Sequence, residues 1–262
     1  MAKVLSVANQ KGGVGKTTTA VNLSAALSTV NKRVLLVDID PQGNATMGCG
    51  VDKYTLEHSI CELLLDECTL EQAIIASEDA LIDLIGANTD LIAAEVALLQ
   101  DKGGEAKLKG LVDQQRNNYD YIIIDCPPSL NMLTINAFTA SDGIVIPMQC
   151  EYYALEGLAG LIETIDQLNA STGHNLRLKA IVRTMFDPRN KLGKQVTEEL
   201  ATHFKDELFS TVIPRNIKLA EAPSFGKPAI AYEPNAKGTL AYLAMAGELI
   251  AKMEDQYQES AV

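Results

Sequence analysis

Lys11-Gly12-Gly13-Val14-Gly15-Lys16-Thr17-Thr18 follows the apolar run Val4 to Ala8 and opens a stretch with helical spacing. The order reads as a strand, a phosphate-wrapping loop and a helix start. Glycines let the backbone curl so that several N–H groups point into one concavity, and the helix adds its positive N-terminal end at the same spot. A nucleoside triphosphate is the natural guest, contacted along Lys11, Gly12, Gly13, Val14, Gly15, Lys16, Thr17 and Thr18. Lys16 reaches the β- and γ-phosphates as a point charge, and the Thr17 hydroxyl ligates Mg²⁺. The usual pattern G-x-x-x-x-G-K-[ST] fails at its first position, which falls on Gln10, and a second lysine, Lys11, stands beside it.

Working outward, four apolar runs read as strands buried on both faces: Val4 to Ala8, Val34 to Val37, Tyr121 to Ile124 and Ile144 to Ile146. Helical spacing fills the gaps, as at Ala20, Leu23 and Leu27. Alternating strands and helices predict an α/β fold, a mainly parallel twisted sheet with helices on both faces, in a single domain over residues 1–262. Later strands are expected at Leu176 to Thr184 and Leu208 to Ile213, with helices around Leu155 to Leu168, Gly193 to Phe204 and Thr239 to Met253. Between Cys49 and Ala87 the pattern is weaker, with short helical spacings near Ser59 to Leu65 and Leu70 to Ile75.

Ligands in such sheets bind beyond the carboxyl ends of the strands. Two further strands end in suggestive chemistry there. Asp125 closes the Ile-Ile-Ile strand, the position from which a P-loop ATPase holds Mg²⁺ directly or through water. Pro127 and Pro128 cannot continue the strand, so the chain leaves the sheet beside the γ-phosphate. Asp38 and Asp40 bracket the end of the second strand, and Pro41-Gln42-Gly43-Asn44 is turn chemistry that bends over the phosphates. Asp40 is assigned to the attacking water and Asp38 to the metal's outer shell, because phosphoryl transfer depends on placement and charge neutralisation.

Composition excludes several classes. The chain has 262 residues, 47 % of them apolar, and no run near the ~20 residues of a membrane span. A soluble, cytoplasmic protein is expected. Five cysteines without a C-x-x-C pair argue against a disulfide framework and a zinc site. Net charge is −12, yet Arg177 to Lys237 carries eleven basic residues against seven acidic ones, so that segment is +4 and the remainder −16.

Together these segments resemble the ParA/MinD family of deviant Walker A ATPases, and within it the chromosome-partitioning Soj branch, over nearly the whole chain. The carriers are residues 8–19, Val37 to Thr46 and Tyr121 to Leu130, supported by Gln149 to Gly157, Val212 to Asn216 and Ala220 to Ser224. The resemblance implies Mg²⁺ and ATP as cofactors and an ATP sandwich between two protomers, with Lys11 reaching the partner's phosphates and Gly12 at the interface. It places Pro214 and Asn216 near the adenine. It also implies non-specific binding of nucleoid DNA, with Arg189 and Lys218 at matching positions, and a ParB-type partner that stimulates hydrolysis. Arg183, Lys191, Lys194, Arg215, Lys227 and Lys237 are further candidate contacts.

The first strand begins at once, so the N-terminal helix-turn-helix domain of some plasmid relatives, and sequence-specific operator binding, are not expected. A MinD-like membrane ATPase is the alternative. It carries a basic amphipathic C-terminal helix, whereas the apolar spacing Tyr242, Met245, Leu249 and Met253 reads here as core packing, and the tail ends in Glu254, Asp255 and Glu259, which anionic lipid would repel. No membrane partner is expected. A metabolic or redox relative, such as an amide-forming ligase or a cluster-carrying protein, is the third class, and Cys126 directly after Asp125 does not match a cluster ligand.

Overall fold

In Tyr121-Ile122-Ile123-Ile124-Asp125 the period-two geometry of a strand sends Ile122 and Ile124 into one apolar layer and Tyr121 and Ile123 into the other. The same division holds for Leu35 and Val37 against Val34 and Leu36. Both faces are therefore dry, and helices must cover each. Each fully buried isoleucine contributes about 1.5–3 kcal/mol relative to exposure.

The computed structural model describes residues 1–77 and 80–260, with side chains through Glu254. Its strands are β1 (Lys3–Val7), β2 (Val34–Asp38), β3 (Ile74–Ser77), β4 (Ile82–Ile85), β5 (Tyr121–Asp125), β6 (Gly143–Met148), β7 (Arg177–Phe186) and β8 (Leu208–Pro214). They form one sheet in the order β3-β4-β2-β5-β1-β6-β7-β8. All pairings are parallel except β3 with β4. Seven strands therefore point their carboxyl ends to the same edge. The central pair sets the site's register: Val7 lies beside Asp125, and Asp125 beside Asp38.

The helical spacing at Leu70 to Ile75 is corrected by the structure. One turn, Leu70–Ala73, leads straight into edge strand β3 at Ile74. The β-branched pair Ile74-Ile75 takes up pairing with Leu84 and Ile85 of β4, which the weak local pattern had hidden. The last helix, Lys237–Ser260, buries Tyr242, Met245, Leu249 and Met253 as core. Asp255 and Glu259 lie outside the residues whose side chains are described. Among the described residues no helix is long and apolar enough to cross a membrane.

Candidate active site

Gly13 and Gly15 have φ of +74° and +89°, a region that costs side-chain-bearing residues dearly. They turn the chain from β1 into the helix Lys16–Thr29, which Gly15 opens without any side-chain cap. The first amides of that helix are consequently unclaimed and available to phosphate oxygens. The loop is braced from outside its own segment. The Thr184 hydroxyl donates to the Val14 carbonyl at 2.8 Å, the Gln149 amide to the Gly13 carbonyl at 3.2 Å, and the Asn9 amide to the Pro147 carbonyl at 2.8 Å. Asn9 Oδ1 also accepts from the Lys11 amide at 2.9 Å.

Lys16 is buried, and its Nζ donates to the Lys11 carbonyl at 3.2 Å. Burial lowers its pKa, while Asp125 and Asp40 oppose that shift. Those two carboxylates therefore face the same small space as the lysine. Lys11, by contrast, is exposed at the loop's rim, where its Nζ pairs with Glu151 at 2.5 Å. Gly12 is also exposed, and a Cβ built there meets nothing within 4 Å.

Asp38 and Asp125 are fully buried neighbours at the ends of β2 and β5. Asp38 is claimed by the loop that follows it. Its Oδ2 accepts from the Thr46 amide at 2.9 Å and the Thr46 hydroxyl at 2.8 Å, and its Oδ1 accepts from the Asp40 amide at 3.1 Å. The carboxylate read as a metal outer-shell group is thus first of all the anchor of the loop, with one Oδ1 lone pair left for anything else. Gly43, at φ +59°, lets that loop pass the Ala87 carbonyl, 2.5 Å from where a Cβ would sit. Asp40 Oδ1 accepts from the Gln42 amide at 3.0 Å, which orients the side chain without occupying Oδ2.

Asp125 is the exception. Neither of its oxygens has a hydrogen-bond partner, although it is buried. Burial and then the neighbouring Asp38 push its pKa well up, and the Thr17 hydroxyl stands near enough to moderate this without closing a bond. Buried carboxylates without partners are rare and need a reason. A divalent cation beside Thr17 supplies one. Among the described residues no group of three acidic, histidine or cysteine side chains could hold a metal by itself. Mg²⁺ needs no more than one or two protein ligands, with water and phosphate completing its shell.

Beside Gly15 and Thr18 an apolar cavity of about 180 Å³ is lined by Thr184, Ile213, Pro214, Asn216 and Tyr242 among others. Asn216 Oδ1 accepts from the Lys218 and Leu219 amides at 2.9 and 3.4 Å, so its carboxamide NH₂ is the group available to a planar base. Pro214 and Asn216 are thereby brought next to the phosphate loop, across some 200 residues of chain.

Arg189 and Lys218 also stand at the carboxyl edge, on the β7 and β8 side. Arg189 is paired with Asp187 at 2.8 Å and holds that carboxylate down to about 2, and Lys218 is paired with Glu221 at 2.9 Å. Arg183 is corrected. It is buried inside β7, where its guanidinium donates to the carbonyls of Phe209 and Ser210 at 2.7 and 3.0 Å and lies over the Phe186 ring. It braces the sheet and does not reach a surface ligand.

Thr184 completes the site without a signal in the sequence; Thr46, Gln149 and Glu151 lie in segments that carry the family resemblance, but their bonds show only once the fold brings each to the loop. Thr46 carries the heaviest connection, because its hydroxyl also accepts from the Ala87 amide at 2.9 Å. Thr46→Val keeps the shape and removes both bonds. It is expected to destabilise the protein by about 1–3 kcal/mol, read from urea unfolding.

A strand, a phosphate loop opening a helix, and carboxylates at the next two strand ends define a P-loop nucleoside-triphosphate-binding protein. The family model described as an AAA domain matches residues 2–180. Soj of Bacillus subtilis, named as a sporulation initiation inhibitor protein, is 49 % identical over 251 residues, covering 96 % of this chain and 99 % of its own length. The chromosome partitioning protein ParA of Caulobacter vibrioides is 43 % identical, covering 99 % and 98 %. Among solved structures, cobyrinic acid a,c-diamide synthase from Mycobacterium smegmatis with ADP and magnesium superposes with a TM-score of 0.84 at 35 % identity, over 97 % of this chain and 96 % of its own. The chain belongs to the ParA/MinD family of deviant Walker A ATPases, in its Soj branch.

Proposed function

We propose that the chain is a Mg²⁺-ATP-dependent DNA-partitioning ATPase. ATP draws two copies into a sandwich dimer, the dimer binds nucleoid DNA without sequence preference, and hydrolysis stimulated by a ParB-type partner releases it. The observation that carries this reading is the second lysine, Lys11, exposed at the rim of the phosphate loop and held within its own protomer by Glu151. An exposed ion pair contributes about 0–1 kcal/mol, so a facing triphosphate can draw the ammonium away at little cost.

In hydrolysis Lys16 and the amides of the loop hold the β- and γ-phosphate oxygens in place. Asp40, turned by its bond from Gln42, orients the attacking water through the remaining carboxylate oxygen. Lys11 adds positive charge from the facing copy. Thr17 and Asp125 would hold the Mg²⁺, which when bound neutralises charge developing on the phosphates. Gly12, with open space where its side chain would be, permits the close approach of two copies. Binding of ADP and magnesium by the Mycobacterium relative supports this cofactor pair. That relative's name belongs to an amide-forming enzyme, but the higher identities to Soj and ParA favour the partition reading.

The DNA face is the carboxyl edge around Arg189, Arg215 and Lys218. Topology divides the basic segment, because Arg177 and Lys179 begin β7 at the opposite edge. The acidic partners of Arg189 and Lys218 are exposed, so exchange for a DNA phosphate is inexpensive, and a dimer doubles the contacts. This reading puts the working protein in the cytoplasm, on the nucleoid.

The test is DNA co-sedimentation with ATP, ADP or no nucleotide across a salt series. Binding should require ATP and fall steeply with salt. Arg189→Glu should leave ATP-driven dimerisation intact and flatten the log–log salt slope by roughly 2, one phosphate contact per protomer. An unchanged slope would move the DNA face elsewhere, and binding indifferent to nucleotide would remove the cycle.

A further inference from the structure

The helix Leu91–Gln100, which follows β4, is apolar on both its sides. Leu91, Ala94 and Leu98 face the core and are buried. Ile92, Val96 and Leu99 are spaced i, i+4, i+7 along the outer side and are 54, 52 and 64 % exposed. Three large side chains in that spacing form a continuous stripe, and a helix apolar all round normally has something on each side of it.

Carboxylates accompany this helix, with Lys102 the one cation among them in sequence. Asp90 precedes the helix, Glu95 lies within it, Asp101 follows it, and Glu105 sits in the turn Gly104–Ala106, which folds back against Leu98. The helix Ile60–Leu64 packs alongside and brings Glu62 and Glu67. That these groups share one neighbourhood is visible at Cys61, whose thiol is pushed up to about 11 by burial and by Glu62, Asp90 and Glu67. From Glu57 to Ala106 the sequence holds twelve acidic residues and one basic residue. Six of these carboxylates, Asp90, Glu95, Asp101, Glu105, Glu62 and Glu67, thus belong to the helix or to the elements packed on it.

The geometry points to a docking surface for a basic amphipathic helix of a partner protein, its apolar side on Ile92, Val96 and Leu99 and its lysines or arginines on the surrounding carboxylates. Long cationic side chains suit this arrangement because their stems extend an apolar contact while their heads reach the rim. A second copy of this chain is disfavoured, since a two-fold contact would set the acidic rim against itself. DNA and anionic lipid are disfavoured for the same electrostatic reason. The surface is separate from the phosphate loop, so this inference does not rest on the partition cycle.

The test uses the full chain with ADP and an 18-residue amphipathic Lys/Leu peptide, compared with a Glu/Leu peptide of identical apolar spacing. Hydrogen exchange should show protection by the Lys/Leu peptide confined to residues 91–100 and 60–64, and none by the Glu/Leu peptide. Val96→Ser with Leu99→Ser, and separately Glu95→Lys with Asp101→Lys, should each weaken binding tenfold or more without altering ATP turnover. Four results would overturn the proposal: protection elsewhere on the acidic surface, equal binding of the Glu/Leu peptide, undiminished binding by the serine variant, or self-association of the wild type that the serine variant abolishes.

Discussion

Asp125→Asn is expected to make the ligand-free protein more stable while nearly abolishing ATP hydrolysis. The stability gain comes from the buried carboxylate without a partner, packed beside Asp38. An unsatisfied buried polar group costs about 1–3 kcal/mol and a charged one more, so the unfolding midpoint should rise by roughly 2–10 °C for a chain of this size. The pH dependence follows from the same geometry. Asp38 is raised to about 6 and Asp125 is raised with it, so the folded chain holds these protons more tightly than the unfolded chain. Stability of the ligand-free protein should therefore fall as pH rises above about 4, the Asp38 share being lost through about 6, and the asparagine variant should lack the share that belongs to Asp125. Turnover should drop on the order of 10²-fold or more, because the group that would anchor the metal's charge is gone. Calorimetry across pH beside a phosphate-release assay separates the two effects. A variant less stable than wild type at neutral pH would show that Asp125 is satisfied in the ligand-free protein.

Lys11→Ala is expected to preserve the monomer and its affinity for ATP yet prevent ATP-dependent dimerisation, with turnover reduced on the order of 10³-fold. Within the protomer the side chain makes an exposed pair with Glu151, so its removal should change the unfolding free energy by less than about 1 kcal/mol. On the proposed cycle its larger effect is expected between copies. A cation supplied in trans to a transferring phosphoryl group is worth ~10³–10⁵ in rate where it has been removed from other nucleotide hydrolases. Sedimentation with a non-hydrolysable analogue, with nucleotide affinity measured in parallel, distinguishes the roles. A variant that still dimerises, or one that loses ATP affinity in proportion to its activity, would place Lys11 in the protomer's own site.

The phosphate loop was legible because its information is local. Glycines at positive φ, a buried strand before them and a helix after them need no distant partner to be recognised. The carboxyl-edge rule likewise brings Asp38, Asp40 and Asp125 to one place from strand order alone. Edge strand β3 was not legible, since its four residues pair with β4 only because the sheet is already there. That Asp38 also anchors its loop is hidden in the sequence for a related reason: its Thr46 partner is eight residues away, and a threonine carries no sign of being a loop anchor. Arg183 looked like any surface cation in a basic segment until β8 closed over it.

From residue order alone came the alternation of strands and helices, the phosphate loop with its extra lysine, and the excess of positive charge late in the chain. These depend on backbone dihedrals, side-chain period and composition, which act over a few neighbours. The tertiary structure decided which charges are free and which are committed. It left Asp125 without a partner, gave Asp38 to Thr46, set Lys11 against Glu151 at a separation of 140 residues, and left one side of Leu91–Gln100 uncovered. The physical reason is that hydration and hydrogen bonding depend on what surrounds an atom in space, and chain order determines that only through the whole fold.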